Sequence, residues 1–289
     1  MAKGTRTRRE RNYRKMKQLV LYLLLFCFCA SIAQEQKYIL LDSLTTRYDT
    51  KKYTFSTLPY GSENIIELYN VFFKDYLLLI SVLPDYERDI WQEISFKSIQ
   101  NNILSTKDLF KIDFGYVRAV KKEGNKYFAS EFCNVERFLF SNKKIEKQKE
   151  DKCALLDFQQ QIFPFDKMRN IYKKRYPNYM FPLDQRPYQS YEISYNPNIP
   201  NDLKGIYLSS IEFIEGYKVY YFYKLCNNRG IGRFAYIKGK GVIAGSFDAH
   251  FSPWWILNRD WFNNILSSKE YLWAEELKKE WAEKEKAKK

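Results

Sequence analysis

Runs of apolar and aromatic residues, separated by short glycine-containing turns, form the clearest pattern in the chain and occupy residues 205–255. Seven of the eleven glycines lie in this stretch, where tight turns need a residue that tolerates positive φ. β-Branched and aromatic runs divided by such turns are typical of antiparallel hairpins. We therefore predict a sheet at the centre of the fold. Its strands are expected at Ile206–Ile214, Val219–Leu225, Phe234–Ile237 and Val242–Phe247.

The apolar positions of the first half of the chain predict both strands and helices. Tyr38–Leu41 and Tyr76–Leu83 are continuous apolar runs of strand length. Asn64–Lys74 and Asp89–Leu104 carry apolar residues at helical spacing, so both are predicted to be helices.

A further hairpin is predicted where Tyr116–Val120 and Lys126–Phe132 flank the turn Lys122–Asn125. The tetrapeptide Glu-Gly-x-Lys at Glu123–Lys126 recurs at Glu215–Lys218. An internal duplication and the independent use of a favourable turn both account for this repeat.

The second half of the chain contains three further signals. Asp166–Arg175 has the spacing of a short helix. Five of the nine prolines lie in residues 176–202, which excludes a central strand, and the tyrosines between them favour an extended segment packed on the sheet. Ser267–Glu270 has the form of a capping box, so a final amphipathic helix over residues 268–289 is expected to dock through Leu277 and Trp281.

These elements predict an α+β fold, mainly antiparallel β-hairpins forming a sheet, with flanking helices and a C-terminal helix. The simplest organisation is one domain over residues 34–267 followed by the terminal helix. Two domains divided near residues 176–202 are the alternative.

The first 33 residues have the form of a secretory signal peptide. Eight Lys or Arg residues in 1–18 precede an apolar run, and Ser31–Ala33 supplies small residues before a cleavage site at Gln34. An uncleaved anchor is the alternative, although Leu19–Ala33 is shorter than the about 20 residues that a spanning helix needs. We therefore expect export to the periplasm, the outer surface or the medium.

The charge composition limits the classes of partner that the chain is expected to bind. The chain carries 48 basic and 34 acidic residues, a net charge of +14, but the predicted signal peptide holds eight of the basic residues and one of the acidic, which leaves +7. Because the chain is expected to be exported and its basic excess is modest, nucleic acid is not favoured as a partner.

The three remaining cysteines predict a disulfide between Cys133 and Cys153 and a buried free thiol at Cys226. One histidine and scattered cysteines predict neither a metal site nor a cofactor.

Two groups of side chains are candidates for a functional site. If the last strand continues past Gly245, Ser246, Asp248 and His250 share one face, but same-face neighbours lie about 7 Å apart, too far for a hydrogen-bonded catalytic triad. A structural role for these residues is therefore the main interpretation, and a catalytic role the alternative. The second group, Lys218, Tyr220, Phe222 and Lys224, shares a face of one strand and would form a ligand platform if that face were open.

The leading functional hypothesis is an exported bacterial cell-envelope protein that binds or assembles with an envelope glycan, peptide or protein without catalysis. A hydrolase of an envelope polymer and a peripheral protein of anionic membranes are the alternatives. No cofactor is expected, and the sequence does not determine the oligomeric state.

Overall fold

A computed structural model gives the fold of this chain. It describes residues 36–84, 90–105, 108–110, 117–140, 165–178, 180, 205–225, 230–251, 266 and 270–287. The predicted signal peptide, Cys153, Cys226 and most of the proline-rich segment lie outside the described residues.

Thirteen strands and five α-helices make up the described part of the chain. The strands are β1 (Lys37–Leu40), β2 (Thr50–Ser56), β3 (Ile65–Phe72), β4 (Tyr76–Leu83), β5 (Trp91–Ile94), β6 (Val117–Glu123), β7 (Lys126–Ser130), β8 (Phe132–Leu139), β9 (Gly205–Ile214), β10 (Tyr217–Leu225), β11 (Arg233–Ile237), β12 (Gly241–Gly245) and β13 (Leu272–Trp273). The helices are α1 (Leu41–Arg47), α2 (Phe96–Ile99), α3 (Phe165–Arg175), α4 (Asp248–Phe251) and α5 (Glu275–Ala287). Short 3₁₀ turns occupy Leu58–Tyr60, Gln100–Asn102 and Asp108–Phe110.

The strands form three sheets, which we call the outer sheet (β1-β6-β7-β5), the middle sheet (β2-β3-β4-β8) and the hairpin sheet (β13-β12-β11-β10-β9). All neighbouring strands within these sheets are antiparallel except β1 and β6. This architecture confirms the predicted α+β class with mainly antiparallel pairing, and the four predicted strands of residues 205–255 all form.

The middle sheet is covered on both faces. Leu68 and Leu79 of one face share a core with Phe222 of the hairpin sheet. Val71 and Ile80 of the other face share a second core with residues of α1, β1 and β6. The three sheets therefore pack as layers, and the middle sheet contributes to a core on each of its faces.

Burial on both faces explains why the predicted helix at Asn64–Lys74 is wrong. Residues Ile66–Val71 of β3 are all buried, so apolar side chains occur on both faces and no polar alternation marks the strand. The same condition holds for β4, whose continuous apolar run correctly predicted a strand. The predicted helix at Asp89–Leu104 is wrong as well, since Trp91–Ile94 pairs with β7 and only Phe96–Ile99 is α-helical.

Asn70 joins the middle sheet to the hairpin sheet. Its buried side chain accepts a hydrogen bond from Val242 N (2.7 Å) and donates one to Val242 O (3.0 Å), in place of a backbone partner. The preceding residue, Gly241, has φ +90, and a Cβ there would collide with the Asn70 amide. A glycine is therefore required where the two sheets approach.

The repeated tetrapeptide Glu-Gly-x-Lys occupies two different turn registers. In the β6–β7 hairpin the two loop residues are Gly124 and Asn125, with φ +59 at the glycine. In the β9–β10 hairpin the loop residues are Glu215 and Gly216, with φ +47 and +83, as a type I′ turn requires. The two hairpins also belong to different sheets, so the repeat gives no support to an internal duplication.

The C-terminal helix begins later than the capping box predicted. Leu272–Trp273 pairs with β12, and α5 starts at Glu275. The predicted docking is confirmed, because Leu277 is buried and Trp281 packs edge-on against Trp273 with ring centroids 5.3 Å apart.

Charged groups hold the far part of α5 on the hairpin sheet. Glu280 accepts hydrogen bonds from Lys284 (2.9 Å), Lys240 (2.9 Å) and the Tyr217 hydroxyl (2.7 Å). These donors, Lys284 first, lower the pKa of Glu280 to about 2. Lys240 and Lys284 also lie over the Tyr217 ring, 4.7 and 4.5 Å from its centroid. The last helix is thereby tied to the start of β10.

Candidate functional site

The predicted continuation of the last strand through Ser246, Asp248 and His250 is wrong. β12 ends at Gly245, and residues Asp248–Phe251 form the single helical turn α4. The backbone amides of His250 and Phe251 bond back to Phe247 O at 2.9 and 3.1 Å. Strand alternation therefore does not place the three side chains on one face.

Asp248 is the centre of a buried polar cluster. It accepts a hydrogen bond from the Tyr60 hydroxyl (2.8 Å), and its second oxygen lies 3.6 Å from Nη2 of Arg233. Burial raises the pKa of Asp248 above its ordinary value of 3.8, and Arg233 acts in the opposite direction. Ser246 is also buried, and its hydroxyl accepts a hydrogen bond from Arg233 N (3.1 Å). These contacts give Asp248 and Ser246 structural partners.

His250 is half-buried and anchors α4 to the end of β4. Its Nε2 donates a hydrogen bond to Pro84 O (2.9 Å), and its ring packs edge-on against Phe132 and Phe251, with centroids 5.6 and 5.0 Å apart. The imidazole thus bonds a backbone carbonyl, which is a structural role.

We expect His250→Gln to lower the free energy of unfolding by roughly 1 kcal/mol, through the weakened hydrogen bond to Pro84. Denaturant titration of the two proteins measures the difference. A general base would behave differently, with stability unchanged and turnover of an envelope polymer reduced about 10²–10⁴-fold. That outcome would restore the hydrolase alternative.

The predicted ligand platform is mostly part of the core. Tyr220, Phe222 and Lys224 are 6%, 1% and 4% exposed, and only Lys218 of the four is exposed. Phe222 stacks on Phe234 with ring centroids 5.2 Å apart. The face is closed because it packs against the middle sheet, so these side chains do not form an open platform.

The exposed apolar surface lies one strand further out, on β9. Phe213 is 77% exposed and Ile211 is 44% exposed. They lie opposite Lys218 and Tyr220 of β10, so all four side chains share one face. We call Ile211–Phe213 the β9 edge, because β9 ends the order of the hairpin sheet among the described strands.

The sequence predicts that Ile211 and Phe213 lie in a strand but does not indicate their exposure. Isoleucine and phenylalanine also occur in the buried strands of the same sheet, so these two residue types alone do not distinguish an edge from a centre. The order β13-β12-β11-β10-β9 is set by non-local pairing, and that order leaves β9 at the margin.

The turn that joins β9 to β10 also determines where the β9 backbone groups point. Ile214 and Tyr217 flank the type I′ turn and form its hydrogen-bonded pair. Hydrogen-bonded and non-hydrogen-bonded pairs alternate along an antiparallel ladder. The N–H and C=O groups of Glu212 therefore point toward β10, and those of Ile211 and Phe213 point away from it.

The described residues include a single cysteine. Cys133 forms no disulfide with another described residue, and burial raises the pKa of its thiol to about 12. Cys153 and Cys226 lie outside the described residues, so the predicted disulfide stays a prediction.

Among the residues that the structure describes, no three His, Cys, Asp or Glu side chains are grouped as a metal site requires. Within the same ranges, no helix is long and apolar enough to cross a membrane.

Comparison with protein-family models, with curated proteins and with solved structures returned no match to this chain. The β9 edge is therefore interpreted by its own chemistry.

Proposed function

We propose that this chain is an exported, non-catalytic module of the bacterial cell envelope that assembles with a protein partner through the β9 edge. The observation that carries the proposal is the exposure of Phe213 and Ile211 on β9, which ends the order of the hairpin sheet among the described strands. An aromatic and an aliphatic side chain left in water, beside backbone groups that pair with no described strand, form a surface that a partner would stabilise.

Two further observations support a binding role over a hydrolase. Asp248 and Ser246, two of the catalytic candidates, are buried among structural partners, and His250 bonds a backbone carbonyl. The predicted signal peptide places the mature chain where envelope proteins are available as partners.

The proposal predicts that Phe213→Ser prevents assembly without affecting the fold. Because the ring is 77% exposed, the free energy of unfolding should change by less than about 0.5 kcal/mol. In size-exclusion chromatography of envelope extracts from the producing cells, the wild type should elute as a complex larger than the purified chain. The variant should elute with the purified chain.

Leu58→Ser is the matched control, since Leu58 is also an exposed apolar residue (63%) but lies on the 3₁₀ turn after β2. It should retain the large complex. Identical elution of wild type and Phe213→Ser would overturn the proposal.

A further inference from the structure

We propose that the partner binds as an extended strand added to the β9 edge, with a basic residue opposite Glu212 between two apolar residues opposite Ile211 and Phe213. This inference rests on the proposed function and names the kind of segment that the partner supplies. Strand addition at an open sheet edge is a recurring mode of peptide recognition, in which backbone bonds supply affinity and alternate side chains supply specificity.

The backbone of the β9 edge is arranged for such pairing. The outward N–H and C=O groups of Ile211 and Phe213 would form two hydrogen-bonded pairs with the incoming strand. Glu212 lies between them, in the non-hydrogen-bonded position, where facing side chains are closest. The edge therefore has an apolar–acidic–apolar order that a partner strand must complement.

The side chains separate by face. Ile211 and Phe213 lie on the same face as Lys218, whereas Glu212 lies opposite Val219 on the other face. Tyr221 lies on the face of Glu212, and burial together with the charge of the Glu212 carboxylate raises the pKa of Tyr221. Opposite charges directly across an antiparallel pair are favourable, so Glu212 selects a Lys or Arg.

The bulge in β9 limits how far a partner strand can pair. The register between β9 and β10 shifts between Tyr221 and Phe222, beside Ser209. A bulge re-aims the backbone and ends regular pairing on the open side. The regular part of the edge is therefore short and centred on Glu212.

Charge complementarity favours a different protein over a second copy of this chain. A two-fold pairing that sets Ile211 against Phe213 of the copy also sets Glu212 directly against Glu212. Like charges directly opposite each other destabilise an antiparallel pair. The copy cannot place a basic residue at that position, but another chain can.

Amide exchange by NMR, on the purified mature chain, tests the inference with a synthetic peptide, acetyl-Ser-Thr-Val-Lys-Val-Thr-Ser-amide. The palindromic peptide can pair in either direction. Its binding should slow exchange at the amides of Ile211 and Phe213. The amides of Glu212 and Ile214 already face β10 and serve as internal controls, with unchanged exchange.

Three comparisons sharpen the test. A peptide with Glu in place of Lys should bind roughly fivefold more weakly, and Glu212→Lys should reverse that preference. A peptide with both valines N-methylated should not bind, because the donors opposite Ile211 and Phe213 are removed. Loss of exchange protection in Phe213→Ser, but not in Leu58→Ser, would locate the site.

Several results would overturn strand addition. Equal binding of the N-methylated peptide would show apolar contact without backbone pairing. Dimerisation in sedimentation equilibrium that Phe213→Ser abolishes would assign the edge to a second copy. Binding to vesicles of phosphatidylglycerol and phosphatidylcholine that Lys218→Glu abolishes would assign it to a membrane. In the first case the proposed function still holds if Phe213→Ser prevents complex formation in envelope extracts, so the two failures are distinguishable.

Discussion

Lys224→Met is expected to lower the free energy of unfolding by about 3–5 kcal/mol, because it leaves the carboxylate of Glu136 buried without its counter-ion. Lys224 and Glu136 are 4% and 2% exposed and form an ion pair between the hairpin sheet and the middle sheet. Glu136 also accepts hydrogen bonds from Ile231 N (2.9 Å) and the Asn134 side chain (3.3 Å). The remaining donors cannot neutralise the carboxylate.

Packing around this pair leaves little room for relaxation. A Cβ on Gly230 would collide with the side chains of both Glu136 and Asn134. Lys224 Nζ also donates a hydrogen bond to Ile231 O (3.2 Å), which the methionine cannot replace. Urea denaturation at neutral pH should therefore show the full loss in free energy of unfolding for Lys224→Met.

Lys218→Met is the matched control for Lys224→Met, since Lys218 lies on the same face of β10 but is exposed. Its effect should stay within about 0.5 kcal/mol. The double variant Lys224→Met with Glu136→Gln should recover part of the loss, because no buried charge is left unpaired. Equal stability of Lys224→Met and wild type would refute the assignment of Lys224 to the core.

Arg233→Met is the second substitution with a large expected effect, about 3–5 kcal/mol at neutral pH. Arg233 is 1% exposed, lies 3.6 Å from the Asp248 carboxylate and donates from Nη2 to Leu266 O (3.1 Å). Its removal leaves Asp248 ionised and buried beside Tyr60. Burial and the neighbouring carboxylate hold the pKa of Tyr60 well above its ordinary value, so its hydroxyl stays neutral and cannot replace the positive charge of Arg233.

The loss in free energy of unfolding caused by Arg233→Met should be smaller at low pH than at neutral pH. The folded-state pKa of Asp248 lies above its ordinary value of 3.8, and loss of Arg233 raises it further. Stability linked to such a group is present below the ordinary pKa and is lost as pH rises through the folded pKa. The variant should therefore be closer to wild type at about pH 4 than at about pH 7.

Denaturant titrations at both pH values measure the effect. Arg175→Met, an exposed arginine at the end of α3, is the control and should show little deficit at either pH. Adding Asp248→Asn to Arg233→Met should remove the pH dependence. A deficit that is the same at both pH values would mean that another group, and not Asp248, is the partner of Arg233.

These buried groups bear on the proposed partner surface because they hold the hairpin sheet in place. Lys224 fixes β10 against β8, and Asn70 fixes β12 against β3. β9 pairs with β10, and among the described residues no anchor of this kind contacts the exposed part of the β9 edge. A partner strand would therefore add to a rigid frame, which lowers the entropic cost of binding.

The sequence by itself determined the features that depend only on residues close together along the chain. The glycine turns and the aromatic runs around them correctly predicted β9 to β12, since short loops with positive φ, as between β9 and β10 and between β11 and β12, dictate hairpins locally. The apolar stripe with Leu277 and Trp281 likewise predicted a docked terminal helix. Local spacing predicted α3 for the same reason.

Only the tertiary structure decided which faces and edges meet water. β3 has apolar residues on both faces because it lies between two sheets, and this mimicked helical spacing. Lys224 and Glu136 are 88 residues apart, so neither predicts the burial of the other. Asp248 was misassigned to a strand because the chain turns after Gly245 to reach Tyr60, a contact across 188 residues. Sheet order and layer packing are non-local, and they leave Phe213 exposed while burying Phe222 on the same side of the hairpin.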